Sequence, residues 1–243
     1  MSRFYVPKEA IEGNMIRLSG PEAHHILDVM RLKKGDSVAA FDGSGREYAG
    51  IIKETRPKGL TIEVTSTREA AACEKVAVTL AQAIPKKDKM DYIVEKATEL
   101  GVHAIAPVET MRTIVRLKGD KAKERVERWQ RIAREAAKQC GRTTVPAVEK
   151  IKDYDSFLKD AKGYDLSLMA CLSEGTIDIK EALRKRRAKN VLLCVGPEGD
   201  FTPDEIVSAR SCGMEMISLG PMVLKSDTAG LAALAVINYE YGN

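Results

Sequence analysis

Apolar and polar positions divide this chain into two regimes that meet near residue 70. Before that point they alternate over short stretches, 3–6, 15–18, 37–41, 46–54 and 60–67. Turn-forming runs separate them, such as Lys33-Lys34-Gly35-Asp36, Asp42-Gly43-Ser44-Gly45 and Arg56-Pro57-Lys58-Gly59. Period-two alternation between such turns predicts strands. One helix is predicted over 21–30. Short strands leave exposed edges unless their sheet closes, so residues 1–70 are expected to form a small β-barrel. The segment 68–75 reads as the boundary.

From residue 76 to 243 strands alternate with helices, which predicts an α/β domain with a mostly parallel sheet. Strands are expected at 76–83, 104–108, 164–172, 191–195 and 216–219. A helix over 88–100 would place Met90, Ile93, Val94, Ala97 and Leu100 on one face. A longer one over 121–140 carries Val126, Trp129, Ile132, Ala133, Ala136 and Cys140 as its apolar stripe, and a third is expected over 178–187.

The stretch 191–238 is the most informative. Val191-Leu192-Leu193-Cys194-Val195 has the length and character of a strand buried on both faces, and Gly196-Pro197-Glu198-Gly199-Asp200 stops it. Thr202 fits an N-cap, Pro203 the first helical position, and Glu205 the third residue of a capping box. Phe201 and Ile206 stand at hydrophobic-staple positions, and Gly213 is the stop. A second strand then runs into Gly220-Pro221, and a last helix starts at Ser226 or Asp227. That helix is apolar around most of its circumference, which fits burial in a core or between subunits. Two strands thus end in Gly-Pro loops that feed helices. In an open parallel sheet, ligands bind beyond such strand ends.

Composition narrows the chemistry. The 243 residues contain no apolar run long enough to span a bilayer and no signal-peptide core, so a cytoplasmic protein without a membrane role is expected. The five cysteines are scattered without a CxxC pair and the three histidines make a poor ligand set, so neither a disulfide framework nor a metal site is expected. Nothing matches GxGxxG or GxxxxGK[ST], and no Ser/His/Asp set is suggested. Net charge is only +4, yet residues 121–140 hold seven Lys/Arg against three acids. Arg131, Arg134, Lys138 and Arg142 follow at three- and four-residue steps, with Arg112, Arg116 and Lys118 nearby in sequence. Two readings fit: a solvated helix with pairs such as Glu124–Arg128 and Glu127–Arg131, or a surface that tracks RNA phosphates. A small-molecule crevice beside a basic face suits group transfer to RNA.

The run Gly196-Pro197-Glu198-Gly199, with Leu219-Gly220-Pro221-Met222-Val223-Leu224-Lys225-Ser226-Asp227-Thr228-Ala229, closely resembles the RsmE family of SPOUT methyltransferases. Asp88-Lys89-Met90, Lys96-Ala97-Thr98-Glu99-Leu100-Gly101-Val102, Arg128-Trp129 and Gln139-Cys140-Gly141-Arg142 resemble its linking segments. His25, Val29-Met30-Arg31-Leu32, Gly35-Asp36 and Phe41-Asp42-Gly43 resemble its PUA-like N-terminal barrel. The resemblance implies S-adenosylmethionine-dependent methylation of uridine N3 in 16S ribosomal RNA of the small subunit, a C-terminal trefoil knot and a homodimer. The donor would lie among Leu172, Gly196, Pro197, Glu198, Gly199, Leu219, Gly220, Pro221, Leu224 and Lys225, held largely by backbone. Lys225 and Arg142 would be the catalytic cations, with Glu198 or Asp227 a candidate proton acceptor. His25, Arg31, Arg112, Arg131, Arg134, Lys138 and Arg142 would contact RNA. Two alternatives stay open: a SPOUT enzyme acting on ribose 2′-hydroxyls or transfer RNA, or a non-catalytic RNA-binding ribosome-assembly protein. The chain departs from the family pattern at Asp200, where Gly is usual, at Met222 and Lys225, where Arg is usual, and at Asp227, where Glu is usual. Lys for Arg exchanges a planar fork for a point charge.

Overall fold

The computed structural model describes residues 3–69 and 76–242. Residues 70–75 of the expected boundary, Cys73 among them, lie outside the described residues. The chain forms two compact units, Met1–Cys73 with Ala137–Val145, and Glu74–Ala136 with Pro146–Asn243.

The first unit contains β1 (Arg3–Tyr5), β2 (Ile11–Glu12), β3 (Met15–Ser19), α1 (Gly20–His24), β4 (Ser37–Phe41), β5 (Arg46–Arg56) and β6 (Gly59–Glu69). The six strands run in the order β1-β4-β5-β6-β3-β2, and no ladder among the described residues joins β1 to β2. Register shifts at Ala49/Gly50 and Ile52/Glu54 bend β5. The inward positions of the alternation, Phe4, Ile16, Leu18, Val38, Ile52, Leu60 and Ile62, fill one core together with Ile26. The helix expected over 21–30 is broken. α1 stops at His24 and His25–Val29 continue as a π turn, closed by the Met30 N–H donating to the His25 carbonyl at 2.9 Å.

The segment 137–145 folds with this unit. The Arg3 guanidinium donates to the Gly141 carbonyl, the Val145 N–H donates to the Gly43 carbonyl at 3.0 Å, and Lys138 pairs with Glu22 at 2.8 Å. None of these ties was visible in the sequence, which offered that segment as the end of a basic helix and, by resemblance, as a linking segment.

The second unit contains β7 (Ala77–Ala83), α2 (Lys89–Glu99), β8 (Ala104–Glu109), most of α3 (Gly119–Cys140), β9 (Ala147–Val148), β10 (Lys152–Asp153), α4 (Tyr154–Asp160), β11 (Leu166–Ala170), β12 (Ile177–Asp178), α5 (Ile179–Lys185), β13 (Asn190–Val195), α6 (Pro203–Ser211), β14 (Glu215–Ser218) and α7 (Ser226–Tyr241). The sheet order is β10-β8-β7-β13-β11-β14-β12, β9 pairs with β8, and the pairings are parallel. Val191–Val195 is buried throughout, as a strand covered on both faces must be.

Local signals explain the helices. α2 buries Met90, Ile93, Val94 and Ala97 and ends before Gly101 at φ +84°. α6 has the capping box: the Glu205 N–H donates to Thr202 Oγ1 at 3.2 Å and the Thr202 N–H donates to Glu205 Oε2 at 2.8 Å. On α3, Trp129, Ala133 and Ala136 are buried, whereas Cys140 is exposed. The anticipated pair Glu124–Arg128 gives way to a tie across helices, since Arg128 Nε donates to Asp91 of α2 at 3.0 Å and Trp129 Nε1 to its other oxygen at 3.1 Å. α4 escaped the sequence reading, although Asp153 caps it by accepting the Ser156 N–H at 2.8 Å. The helix expected over 178–187 is shorter, because Arg186 turns to extended backbone.

Candidate functional site

Parallel strands β13, β11 and β14 are neighbours, and their register aligns Ala170 of β11 with Val195 on one side and Ile217 on the other. The chain therefore leaves all three at one level, at Cys171, Gly196 and Ser218. Between these exits lies a cavity of about 260 Å³. Leu172, Gly196, Pro197, Glu198, Leu219, Gly220, Leu224 and Lys225 all line it. Gly199 and Pro221 adjoin the lining residues. Asp200, a departure from the family pattern, also lines it, as do Val195, Ile217, Ser226 and Ala229, which were not named as donor contacts from the sequence.

The backbone of the first exit is tightly specified. A Cβ on Gly196 would stand 3.1 Å from the Phe201 ring, and Phe201 is itself buried. Ser226 Oγ donates to the Gly196 carbonyl at 2.5 Å and accepts from Nε2 of the fully buried Gln82 at 3.0 Å. Asp200 adopts φ +60°, a region that favours Gly and tolerates Asp better than most residues. Its side chain adds a bond that Gly could not make, accepting the Leu172 N–H at 2.9 Å. Arg112 Nη1 donates to the Gly199 carbonyl at 2.6 Å, and buried Glu205 accepts the Met111 N–H at 2.7 Å.

Charge gathers on one wall. The Glu198 carboxylate accepts the Lys86 N–H at 3.1 Å and lies 3.4 Å from the Lys89 ammonium, which also reaches Asp227 at 3.1 Å. Burial pushes the Glu198 carboxyl up, but its own N–H, the Lys86 N–H and Lys89 outweigh that and hold it below the ordinary value. Asp227 behaves alike: burial raises it, and Lys89, its own N–H and Lys225 bring it below normal. The Lys89 ammonium is raised, first by its hydrogen bond to Asp227.

The expected RNA-contacting residues belong to both units. In the first unit, His25 packs edge-on against Phe4, Arg31 is exposed at φ +54°, and Arg142 donates to Thr144 at 3.1 Å. Lys138 is only 10% exposed and bound to Glu22, so it anchors that unit internally rather than facing solvent. In the second unit Arg131 is exposed, Arg134 half-buried, and Arg112 is committed to the Gly199 carbonyl. Gln82 and Lys89 were missed as site residues. Gln82 is a polar residue in a strand whose neighbours are buried, and Lys89 sits where a helix start favours acids; both were faint signals. Among the described residues no cluster of His, Cys, Asp and Glu could hold a metal ion, and no helix is long and apolar enough to cross a membrane.

Comparison with known proteins fits this geometry. Residues 72–238 match the RNA methyltransferase domain family and residues 18–65 the RNA methyltransferase PUA domain. Ribosomal RNA small subunit methyltransferase E of Bacillus subtilis is 32% identical over 99% of this chain and 97% of its own. The Synechocystis protein of the same name is 31% identical over 96% and 75%. Among solved structures, a ribosomal RNA small subunit methyltransferase E from Neisseria gonorrhoeae bound to S-adenosyl methionine is 30% identical, covers 98% of this chain and 97% of its own, and gives a TM-score of 0.85. A putative methyltransferase from Legionella pneumophila in complex with the bound cofactor SAM is 30% identical over 98% and 97%, with a TM-score of 0.88.

Proposed function

The chain belongs to the RNA methyltransferase family that includes the ribosomal RNA small subunit methyltransferases E, and from that premise we propose that it methylates N3 of a uridine in 16S ribosomal RNA, using S-adenosylmethionine. The observation that carries this reading is the cavity where β11, β13 and β14 end. Its lining suits a nucleoside ligand: apolar walls from Val195, Ile217, Leu219 and Leu224, and main-chain groups of two Gly-Pro loops.

The donor, when bound, supplies an activated methyl group. The protein then has to orient the uridine ring and stabilise the anion that forms as N3 loses its proton. Lys225, exposed on the cavity lining, is the residue proposed for that charge. In the first unit, His25, Arg31 and Arg142 are proposed RNA contacts; Arg131 and Arg134 are proposed contacts in the second. An isologous homodimer and the trefoil knot belong to the same proposal, and sedimentation at micromolar concentration tests the dimer.

The decisive experiment incubates the protein with small ribosomal subunits and S-adenosylmethionine and maps the product by mass spectrometry. N3-methyluridine in 16S RNA is the expected product. Methyl groups on ribose 2′-oxygens, on transfer RNA only, or nowhere would overturn the assignment.

A further inference from the structure

We propose that Lys89 is a positioning residue that clamps the two donor loops together, and that Glu198 serves as one jaw of this clamp rather than as a proton acceptor. The inference rests on the function proposed above. Its basis is one ammonium shared by two carboxylates from distant parts of the chain: Glu198, in the loop after β13, at 3.4 Å, and Asp227, in the first turn of α7, at 3.1 Å. The loop after β14 leads directly into α7, so holding Asp227 holds the outgoing end of that loop. The Lys86 N–H, on the loop after β7, completes the arrangement by donating to Glu198 at 3.1 Å.

Two physical points favour a clamp over a bystander ion pair. Lys89 is the first residue of α2, where a cation opposes the helix dipole and an acid would be preferred. Its placement is offset by the two carboxylates it joins. The three side chains are also 34%, 27% and 23% exposed, so the charges are partly desolvated and the geometry is held more firmly than on an open surface. A carboxylate bound by a backbone N–H and an ammonium, and held below its ordinary pKa, is a weak base, which removes Glu198 as the proton acceptor considered from sequence. Beneath this pair, Gln82, Ser226 and the Gly196 carbonyl make a second, buried link between the same two loops.

The test uses the full chain with Lys89→Met, Lys89→Arg, Glu198→Gln and the double variant K89M/E198Q. Calorimetry with S-adenosylmethionine should show donor affinity about tenfold weaker in K89M, as expected when a charge-assisted bond is lost, with most of it restored in K89R. At saturating donor the maximal rate should fall less than about threefold, and the double variant should bind no worse than the weaker single one. Without any donor, amides 198–200 and 226–229 should exchange about tenfold faster in K89M than in the wild type, while circular dichroism confirms that the variant is folded. Unchanged exchange in K89M overturns the clamp. So does a loss of rate in E198Q at unchanged donor affinity, the signature of a proton acceptor. A wild-type chain that binds no S-adenosylmethionine would instead sink the functional reading, and the donor-free exchange measurement would still judge the clamp.

Discussion

The two loops that make the cavity are built by opposite means. The loop at Gly196–Asp200 is fixed from outside itself: Ser226 holds the Gly196 carbonyl, Lys86 and Lys89 hold Glu198, Arg112 holds Gly199, and Asp200 is tied to Leu172. The loop at Leu219–Lys225 is shaped by its own chemistry, with Gly220 at φ +115° followed by Pro221, and it leaves Met222 and Val223 76% and 71% exposed. The first is a scaffold held in place by neighbouring residues. The second presents side chains outward, which is where a docking substrate can meet them. The contrast teaches that neighbouring residues of one cavity can affect entirely different measurements.

Adjacent residues Lys225 and Ser226 sharpen that contrast most. Lys225→Ala should lower kcat about a hundredfold, the usual cost of removing a group that stabilises developing charge, with donor affinity and melting temperature nearly unchanged. Equal activity would exclude its role. Ser226→Ala, one residue on, should destabilise the protein by about 1–3 kcal/mol, because the Gly196 carbonyl loses the Ser226 hydroxyl and the buried Gln82 amide keeps only its bond to the Ala83 carbonyl. A thermal melt checks it, and a loss below 0.5 kcal/mol would show that the buried link is dispensable.

Arg112→Ala comes next, with donor binding about fivefold weaker as the Gly199 carbonyl loses its charge-assisted partner. If RNA affinity fell instead while donor affinity held, Arg112 would return to the RNA-contacting set. Acid should loosen the link between the two loops. Glu198 and Asp227 are held below their ordinary values, so the stability they lend is complete above those values and is lost as pH falls through the depressed ones. Amide exchange followed down to about pH 3 should show protection falling at 198–200 and 226–229. The smallest effect is expected for Asp200→Gly. Relief of the left-handed backbone offsets the lost bond to Leu172, leaving stability within about 0.5 kcal/mol. The Leu172 amide alone should exchange faster.

Much of the second unit was legible because its signals are local. The capping box at Thr202 and Glu205, the buried run at Val191–Val195 and the apolar face of α2 each lie within a single helix start, strand or helix. Misreadings occurred where a distant partner decided the outcome. Arg128 turns to Asp91 rather than along its own helix, Lys138 to Glu22 rather than to solvent, and the helix after Pro21 breaks into a π turn at His25. α4 was missed although it carries a local signal of its own, the Asp153 cap that accepts the Ser156 N–H.

The amino-acid sequence by itself determined the alternation that makes strands, the caps and glycines that start and stop helices, and the two Gly-Pro bends. Those properties depend on residues a few positions apart. Only the tertiary structure decided that β13 inserts between β7 and β11, that Gln82 meets Ser226 across 144 positions, and that Lys89 meets Asp227 across 138. Such contacts follow from how the whole sheet packs and orders its strands, and no local pattern encodes them.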